Sequence, residues 1–222
     1  MLSKTIVDFK PVSPQHGDLI KRSMVLRNHA PGGDVTEVAR WLEKAGVLGL
    51  SVVTESKRFG GSLDLLRAIV NAVSIPVLRK DFIKTEDDLN ETLDCGAKGV
   101  LLICSTAENI EALHEKALSI GLKPVVEIHT QDEMRQAGRM GAKIIGINNK
   151  DITVLEKDGG SVDLTLSLIK TAPKGAFIIS ESGISSREEA QKALDAGANA
   201  VLIGTAFWQG RFLIDNAYDC VT

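Results

Sequence analysis

The side chains in this sequence best suited to chemistry are lysines and carboxylates that follow short apolar runs. Lys80, Glu127 and Glu181 each end such a run, and Lys10 and Asn148 occupy similar places. Lysine and glutamate are depleted in strands, so several of them at one structural level indicate a site. A lysine can protonate an oxygen on which negative charge develops, and a carboxylate can accept a proton. The set predicts acid–base catalysis.

Two simpler interpretations compete with a catalytic one. Charged residues at strand ends can simply meet solvent, which is the commoner role of any one such residue. They can also form a structural ring of ion pairs inside a barrel. That ring would require every charge to be paired, and it leaves the adjacent Asn148 and Asn149 unexplained.

Two glycine-containing turns predict an anion site. Ser182-Gly183 and Gly204-Thr205 each place a small residue and a hydroxyl just beyond an apolar run. Backbone N–H groups in such turns can approach a phosphate closely, helped by the N-terminus of a short helix that follows. The alternative is that both glycines only make tight turns.

The elements that would position these residues are eight strands. Their sequences are continuously apolar, as expected of strands buried on both faces. We predict them at Thr5–Phe9, Leu48–Thr54, Pro76–Phe82, Gly99–Cys104, Pro124–His129, Ile144–Asn149, Phe177–Ser182 and Ala200–Gly204. Because side chains alternate along a strand, Lys80, Glu127 and Glu181 share a face with the apolar residues two positions before them.

Helical segments separate the strands and begin at capping residues. The predicted N-caps are Asp34, Ser62, Thr85 and Ser186. A weak repeat, Gly-Ala followed by an apolar strand, recurs after Cys95, Met140 and Ala196. Strands and helices in alternation predict one α/β domain over residues 1–222, a single (β/α)8 TIM barrel with its site at the C-terminal ends of the strands. An open doubly wound sheet is the runner-up, although no G-x-G-x-x-G follows the first strand.

Composition restricts the classes of partner. The net charge of −3 and the lack of a basic stripe argue against nucleic acid, and the apolar runs are too short to span a membrane. Cys95, Cys104 and Cys220 lack metal-ligand spacing, so we expect free thiols in a cytoplasmic protein and no metal. The expected partner is a small phosphorylated molecule, and the expected state is a monomer or a weak homo-oligomer.

Several longer motifs resemble the indole-3-glycerol-phosphate synthase family over nearly the whole chain. The most specific are Phe9-Lys-Pro-Val-Ser-Pro, Leu50-Ser-Val-Val-Thr-Glu, Phe59-Gly-Gly-Ser, Pro76-Val-Leu-Arg-Lys-Asp-Phe, Val126-Glu-Ile-His, Ile145-Gly-Ile-Asn-Asn-Lys-Asp and Ser180-Glu-Ser-Gly-Ile. The resemblance implies a carboxy-lyase of tryptophan biosynthesis that needs no cofactor. It would convert 1-(2-carboxyphenylamino)-1-deoxyribulose 5-phosphate to indole-3-glycerol phosphate with loss of CO2 and water.

The resemblance also implies a role for each site residue. Lys80 would be the general acid, Glu127 the base for dehydration, and Lys10, with Asp8 beside it, would contact the substrate carboxylate. Asn148 and Glu181 would position the intermediate. The residues implied for binding are Ser13, Ser182, Gly183, Gly204 and Thr205 around the phosphate, and Phe59, Phe82, Leu101 and Ile152 around the anthranilate ring.

Three departures from the family pattern stand out. Asp8 replaces the usual glutamate, Lys150 replaces an arginine, and we expect most of the family's N-terminal helical extension to be lacking. The chain would then be a slow synthase or a paralogue acting on a related aryl-amino sugar phosphate. A catalytically degraded barrel kept as a binding subunit is a further alternative, although retention of Lys10, Lys80, Glu127 and Asn148 argues against it. A phosphosugar isomerase is a third, but the Arg-Lys-Asp-Phe segment does not suggest one.

Overall fold

The computed structural model describes residues 2–150 and 161–212, and these residues form a closed barrel of eight parallel strands. Each strand pairs with its neighbours in sequence, and the first pairs with the last to close the barrel. The strands are β1 (Thr5–Phe9), β2 (Gly49–Val53), β3 (Val77–Lys80), β4 (Gly99–Ile103), β5 (Lys123–Ile128), β6 (Ile144–Asn148), β7 (Phe177–Glu181) and β8 (Ala200–Ile203). The predicted (β/α)8 barrel is confirmed.

Most of the predicted strands extend one or two residues too far at their C-terminal ends. Thr54, Cys104 and Asn149 each continue the ladder by one backbone hydrogen bond, to the carbonyls of Lys80, Glu127 and Glu181. The chain then leaves the sheet to begin the next loop. This early departure opens the C-terminal end of the barrel, where the polar side chains lie.

Helices surround the barrel, and a two-stranded antiparallel ribbon (Val12–Ser13 with Gly17–Asp18) follows β1. The helices are α1 (Met24–His29), α2 (Val35–Lys44), α3 (Ser56–Phe59), α4 (Leu63–Ala72), α5 (Glu86–Asp94), α6 (Ile110–Ser119), α7 (Gln131–Arg139), α8 (Asp163–Leu168), α9 (Arg187–Asp195) and α10 (Thr205–Trp208). None of the helices in the described ranges is long and apolar enough to cross a membrane.

The predicted N-caps are confirmed. The side chains of Asp34, Ser62, Thr85 and Ser186 each accept a hydrogen bond from a backbone N–H in the first turn of the following helix. Such bonds satisfy donors that have no partner within the helix. The caps therefore mark where the chain turns from loop to helix on its way back to the next strand.

The inner face of the barrel is a compact apolar cluster beneath the predicted site. Its buried members are Ile6, Leu78, Leu101, Ile103, Val125, Ile179, Ala200 and Leu202. The predicted shared face is confirmed, because Leu78, Val125 and Ile179 lie here, two residues before Lys80, Glu127 and Glu181. The apolar cluster fills the inside of the barrel, and the charged side chains lie over it at the C-terminal ends of the strands.

Candidate active site

Lys80 lies between two buried carboxylates at the C-terminal end of the barrel. Its Nζ is 3.0 Å from Glu127 Oε2 and 2.9 Å from Glu181 Oε2. Both carboxylates are almost fully removed from solvent, whereas the lysine side chain keeps 17% of its exposure. The cation is thus the most exposed member of the group.

Asn148 holds the other oxygen of Glu127. Its Nδ2 donates to Glu127 Oε1 at 3.0 Å, and its Oδ1 accepts from the backbone N–H of Lys150 at 3.0 Å. Both Glu127 oxygens therefore have a donor from another strand, Asn148 on the adjacent β6 and Lys80 on β3. The carboxylate is fixed in orientation, as a base that must meet one particular proton should be.

Burial and charge act in opposite directions on this group. Burial by itself would lower the pKa of Lys80, but the carboxylates of Glu127, Glu181 and Asp8 raise it well above its usual range. For Glu127, burial would raise the pKa, but Lys80, His129 and the Asn148 hydrogen bond together lower it. Lys80 and Glu127 therefore form an ion pair at neutral pH.

Glu181 behaves differently from Glu127. The pKa of Glu181 is raised to about 7, mainly by burial. The positive charge of Lys80 opposes this rise, and the negative charges of Glu127 and Asp8 contribute to it. Its Oε1 makes no hydrogen bond within the described chain, and it lies against the Cα of Gly146 on β6. A carboxyl group that titrates near neutral pH can both give and accept a proton.

Asp8 and Lys10 complete the charged end of the barrel. Both are buried, at 3% and 6% exposure. Trp208 Nε1 donates to the backbone carbonyl of Asp8 at 2.7 Å, which anchors the end of β1 to α10. Gly204 lies beside the Asp8 side chain, so a larger residue at position 204 would crowd it. Lys80 contacts two carboxylates, Glu127 and Glu181, so these three charges are not paired one to one.

A cavity on one side of Lys80 has apolar walls. Phe59, Phe82 and Leu101, three of the residues predicted to bind an aromatic ring, line it together with Val53 and Ile103. Glu55 Oε2 accepts from the backbone N–H of Phe59 at 3.1 Å and so fixes α3 at the cavity wall. Lys10 Nζ lies 5.7 Å from the centre of the Phe59 ring, within reach of a cation–π contact.

A second cavity adjoins the first and has a polar lining. Ser182, Gly183, Gly204 and Thr205, the residues expected around a phosphate, line it, and Lys10, Lys80 and Lys150 border both cavities. Ser182 has φ +61°, and no other non-glycine residue in the described ranges has a positive φ. Such strain is maintained only where surrounding structure enforces it, and it concentrates at functional sites.

Asn149 enforces that conformation. Its Nδ2 donates to the backbone carbonyls of Glu181 and Ser182 at 2.9 and 3.2 Å, and its Oδ1 accepts from Thr165 Oγ1 at 2.9 Å. The adjacent asparagines therefore have separate tasks. Asn148 orients Glu127, and Asn149 holds the turn after β7.

Of the predicted binding residues, Ser13 is placed elsewhere and Ile152 is not described. Ser13 lines neither, and its Oγ instead accepts from the backbone N–H groups of Gln15 and His16, at 3.3 and 3.4 Å. Gln15 and His16 themselves line the polar cavity. Ile152 lies outside the described residues.

The sequence did not indicate several residues that the fold brings to the site. Asp81 lines the apolar cavity, where it accepts hydrogen bonds from Thr54 Oγ1 and Arg79 Nη2. Arg211 borders the polar cavity from beyond α10. The buried Arg79 within a strand was the one available signal, because a buried cation requires partners. Arg211 carried no signal, because its place depends on the path of the chain after α10.

The fold and these two cavities define a (β/α)8 barrel with an acid–base site at the C-terminal ends of its strands. A family model described as "Indole-3-glycerol phosphate synthase" matches residues 3–213. The chain belongs to the indole-3-glycerol phosphate synthase family.

Individual relatives agree with this assignment. The indole-3-glycerol phosphate synthases of Pyrococcus furiosus and Thermococcus kodakarensis are each 39% identical, across 90% of this chain and 84% of theirs. Indole-3-glycerol phosphate synthase 1 of Streptomyces coelicolor is 39% identical, across 94% of this chain and 73% of its own. The N-acetylmannosamine-6-phosphate 2-epimerase of Clostridium perfringens superposes with a TM-score of 0.67 at 17% identity, covering 91% of this chain and 86% of that one. The last similarity shows the barrel fold alone.

Proposed function

We propose that this chain converts 1-(2-carboxyphenylamino)-1-deoxyribulose 5-phosphate to indole-3-glycerol phosphate, with loss of CO2 and water. The observation that carries the proposal is the position of Lys80 between Glu127 and Glu181 where an apolar and a polar cavity meet. The substrate has the same division, with an aromatic ring at one end, a phosphate at the other and the reacting ketone between them.

In the proposed reaction Lys80 is the general acid. Ring closure places negative charge on the ketone oxygen, and a buried cation stabilises that charge more than water can, because the cation is already in place. The pKa of Lys80 is raised by Glu127, Glu181 and Asp8, so the lysine reaches the reaction charged. Its two carboxylate partners can return a proton to it afterwards.

Glu127 is the proposed base for dehydration, oriented by Asn148. Glu181 shares Lys80 with it and titrates near pH 7, which suits a group that holds a proton for part of the cycle. Lys10, which lies above Phe59, is the proposed contact of the substrate carboxylate until CO2 leaves. A single lysine releases that carboxylate more easily than a bidentate arginine would.

The binding residues divide between the two cavities. Phe59, Phe82 and Leu101 hold the aromatic ring, with Ile152 proposed alongside them on the strength of the family resemblance. Ser182, Gly183, Gly204 and Thr205 receive the phosphate through their backbone N–H groups and the two hydroxyls, with Lys150 and Arg211 supplying positive charge. Side-chain acid–base chemistry is sufficient for each proposed step, and we propose no cofactor and no metal.

The deciding experiment is incubation of the purified chain with the carboxyphenylamino deoxyribulose phosphate, while indole fluorescence and CO2 are monitored. We expect both products in equal amounts. Activity confined to a ring-substituted substrate would favour the paralogue, which the replacements Asp8 and Lys150 make a reasonable rival. Ligand binding without turnover of any aryl-amino sugar phosphate would favour a degraded barrel.

We also propose that the protein acts in the cytoplasm, on a small phosphorylated substrate and without nucleic acid, as a monomer or a weak homo-oligomer. The net charge of −3 supports the absence of a nucleic-acid partner. Light scattering across a range of protein concentrations measures the oligomeric state. A tight higher oligomer would contradict this part of the proposal.

A further inference from the structure

The imidazole of His129 lies between two carboxylates at the outer side of the site. His129 Nε2 is 3.6 Å from Glu127 Oε1, and Nδ1 is 3.9 Å from Glu133 Oε2. Both ring nitrogens are shielded from solvent, and neither makes a hydrogen bond within the described residues. The ring is therefore aligned with one nitrogen toward the proposed base and the other toward α7.

Glu133 is fixed at the surface end of this line. Its Oε2 accepts from the backbone N–H groups of His129 and Thr130 at 2.6 and 3.0 Å, as part of a capping box at the start of α7. The Glu133 side chain keeps 16% of its exposure, whereas that of Glu127 has none. The three groups lead from a carboxylate removed from solvent to one that meets it.

The proposed reaction requires a proton from solvent in every cycle. The ketone oxygen leaves as water and so takes up two protons, while the base removes only one proton from the intermediate. The substrate carboxylate leaves as CO2 and returns none. One proton per turnover must therefore enter a site whose cavity is filled by the substrate.

We propose that His129 and Glu133 form the relay through which Glu127, and through it Lys80, receives that proton. The inference rests on the proposed function. A proton taken up by Glu133 passes to His129 Nδ1, the ring releases its other proton from Nε2 to Glu127, and Glu127 passes it to Lys80 along their 3.0 Å hydrogen bond. Both transfers at the ring require the 3.6 and 3.9 Å separations to shorten to hydrogen-bond length. After product leaves, Nε2 regains a proton through Glu127, which lines the emptied cavity, and Nδ1 returns its proton to Glu133 before the next turnover. Neutral imidazole carries one proton and one lone pair, so it can accept at one nitrogen and donate at the other.

The other titratable group near this line does not compete for the proton. The thiol of Cys104 follows β4, and burial together with the charges of Glu133 and Glu127 raises its pKa to about 12. It stays neutral through the working range of pH. His129 is then the group in the described chain that can connect the two carboxylates.

The test compares His129→Ala and His129→Gln with the wild type under saturating substrate. We expect kcat of His129→Ala to fall about tenfold with KM within about twofold, since proton transfer by a positioned side chain is worth tenfold or more. Free imidazole should restore kcat of His129→Ala in proportion to its concentration, but not that of His129→Gln, whose side chain fills the space. His29→Asn is the matched control, because His29 is a partly buried imidazole stacked on Trp41 and not part of the site.

Two results would overturn the relay: wild-type kcat in His129→Ala, or a loss of kcat that free imidazole does not restore. Failure of the wild type to form indole would instead contradict the proposed function. The contact between His129 and Glu127 can then be tested without turnover, by following the titration of the Glu127 carboxyl 13C signal with pH. Because His129 is one of the groups that lower the pKa of Glu127, His129→Gln should move this titration to higher pH, and His29→Asn should not. An unmoved titration in His129→Gln would show that the contact does not exist.

Discussion

The carboxylate of Glu181 occupies the space in which any other residue at position 146 would carry its side chain. A Cβ built on Gly146 overlaps Glu181 Oε1, and its next neighbour is the carboxyl carbon of the same side chain. The bare backbone of β6 thus lets a buried glutamate from β7 reach across the barrel to Lys80. The glycine is part of the geometry of the acid–base group.

Gly146→Ala should therefore impair catalysis more than folding. The added methyl forces Glu181 away from Lys80, and a displacement of roughly 1 Å can cost on the order of a hundredfold in rate. We expect kcat to fall by about that factor with a small change in Tm. Gly32→Ala, where an added Cβ meets nothing within 4 Å, is the matched control and should keep full activity. An active Gly146→Ala would show that Glu181 need not contact Lys80.

The raised pKa of Glu181 predicts a pH-dependent stability. The folded protein holds a proton on Glu181 up to pH about 7, whereas the unfolded chain releases it near pH 4.5. The stability that Glu181 contributes is therefore greatest below pH 4.5 and is lost as pH rises through 7. Urea unfolding of wild type and Glu181→Gln should show the variant gaining in relative stability between pH 5 and 8, by on the order of 1 kcal/mol or more. A pH-independent difference would mean that Glu181 is ionised in both states.

Lys80→Met should abolish turnover while substrate still binds. The lysine acts mainly on charge that develops in the transition state, and loss of a general acid costs about 10²–10⁴-fold. Binding can be followed by the quenching of protein fluorescence during titration with substrate, and turnover by indole formation. Weaker binding with an unchanged rate per bound substrate would show that Lys80 is only an anchor.

Asp8→Glu tests the departure from the family pattern next to the catalytic group. Asp8 contributes to the raised pKa of both Lys80 and Glu181, so its carboxylate already acts on them at a distance. The longer side chain should strengthen that action and raise kcat by about tenfold, roughly 1.4 kcal/mol. Asp8→Asn removes the charge with little change of shape and should lower kcat. A marked fall in kcat/KM for Asp8→Glu would favour a pocket reshaped for a different aryl sugar phosphate.

The strained turn after β7 should lower the stability of the protein and favour phosphate binding. Ser182 holds φ +61°, which glycine adopts without cost, so Ser182→Gly should raise the free energy of unfolding by about 1 kcal/mol. The lost hydroxyl should raise KM for the substrate and weaken binding of inorganic phosphate, measured by NMR shifts of the Gly183 and Thr205 amides. Phosphate shifts centred elsewhere would contradict the assignment of this cavity.

The local sequence by itself determined the barrel and the identity of its charged residues. Strand positions followed from continuous apolar runs, helix starts from capping residues such as Thr85 and Ser186, and the shared face of Lys80, Glu127 and Glu181 from strand alternation. These signals are local, because they depend on the period of a strand and on hydrogen bonds within a few residues. The family motifs added the roles that are proposed for those residues.

Only the tertiary structure decided which groups touch. Nothing in the order of residues shows that Gly146 makes room for Glu181, that Asn149 strains Ser182, or that His129 aligns Glu127 with Glu133. Ser13 was predicted to contact the phosphate, but its hydroxyl accepts hydrogen bonds from backbone N–H groups of its own turn. The reason is that a pKa or a contact depends on distances of a few ångströms between different strands, and closure of the barrel sets those distances.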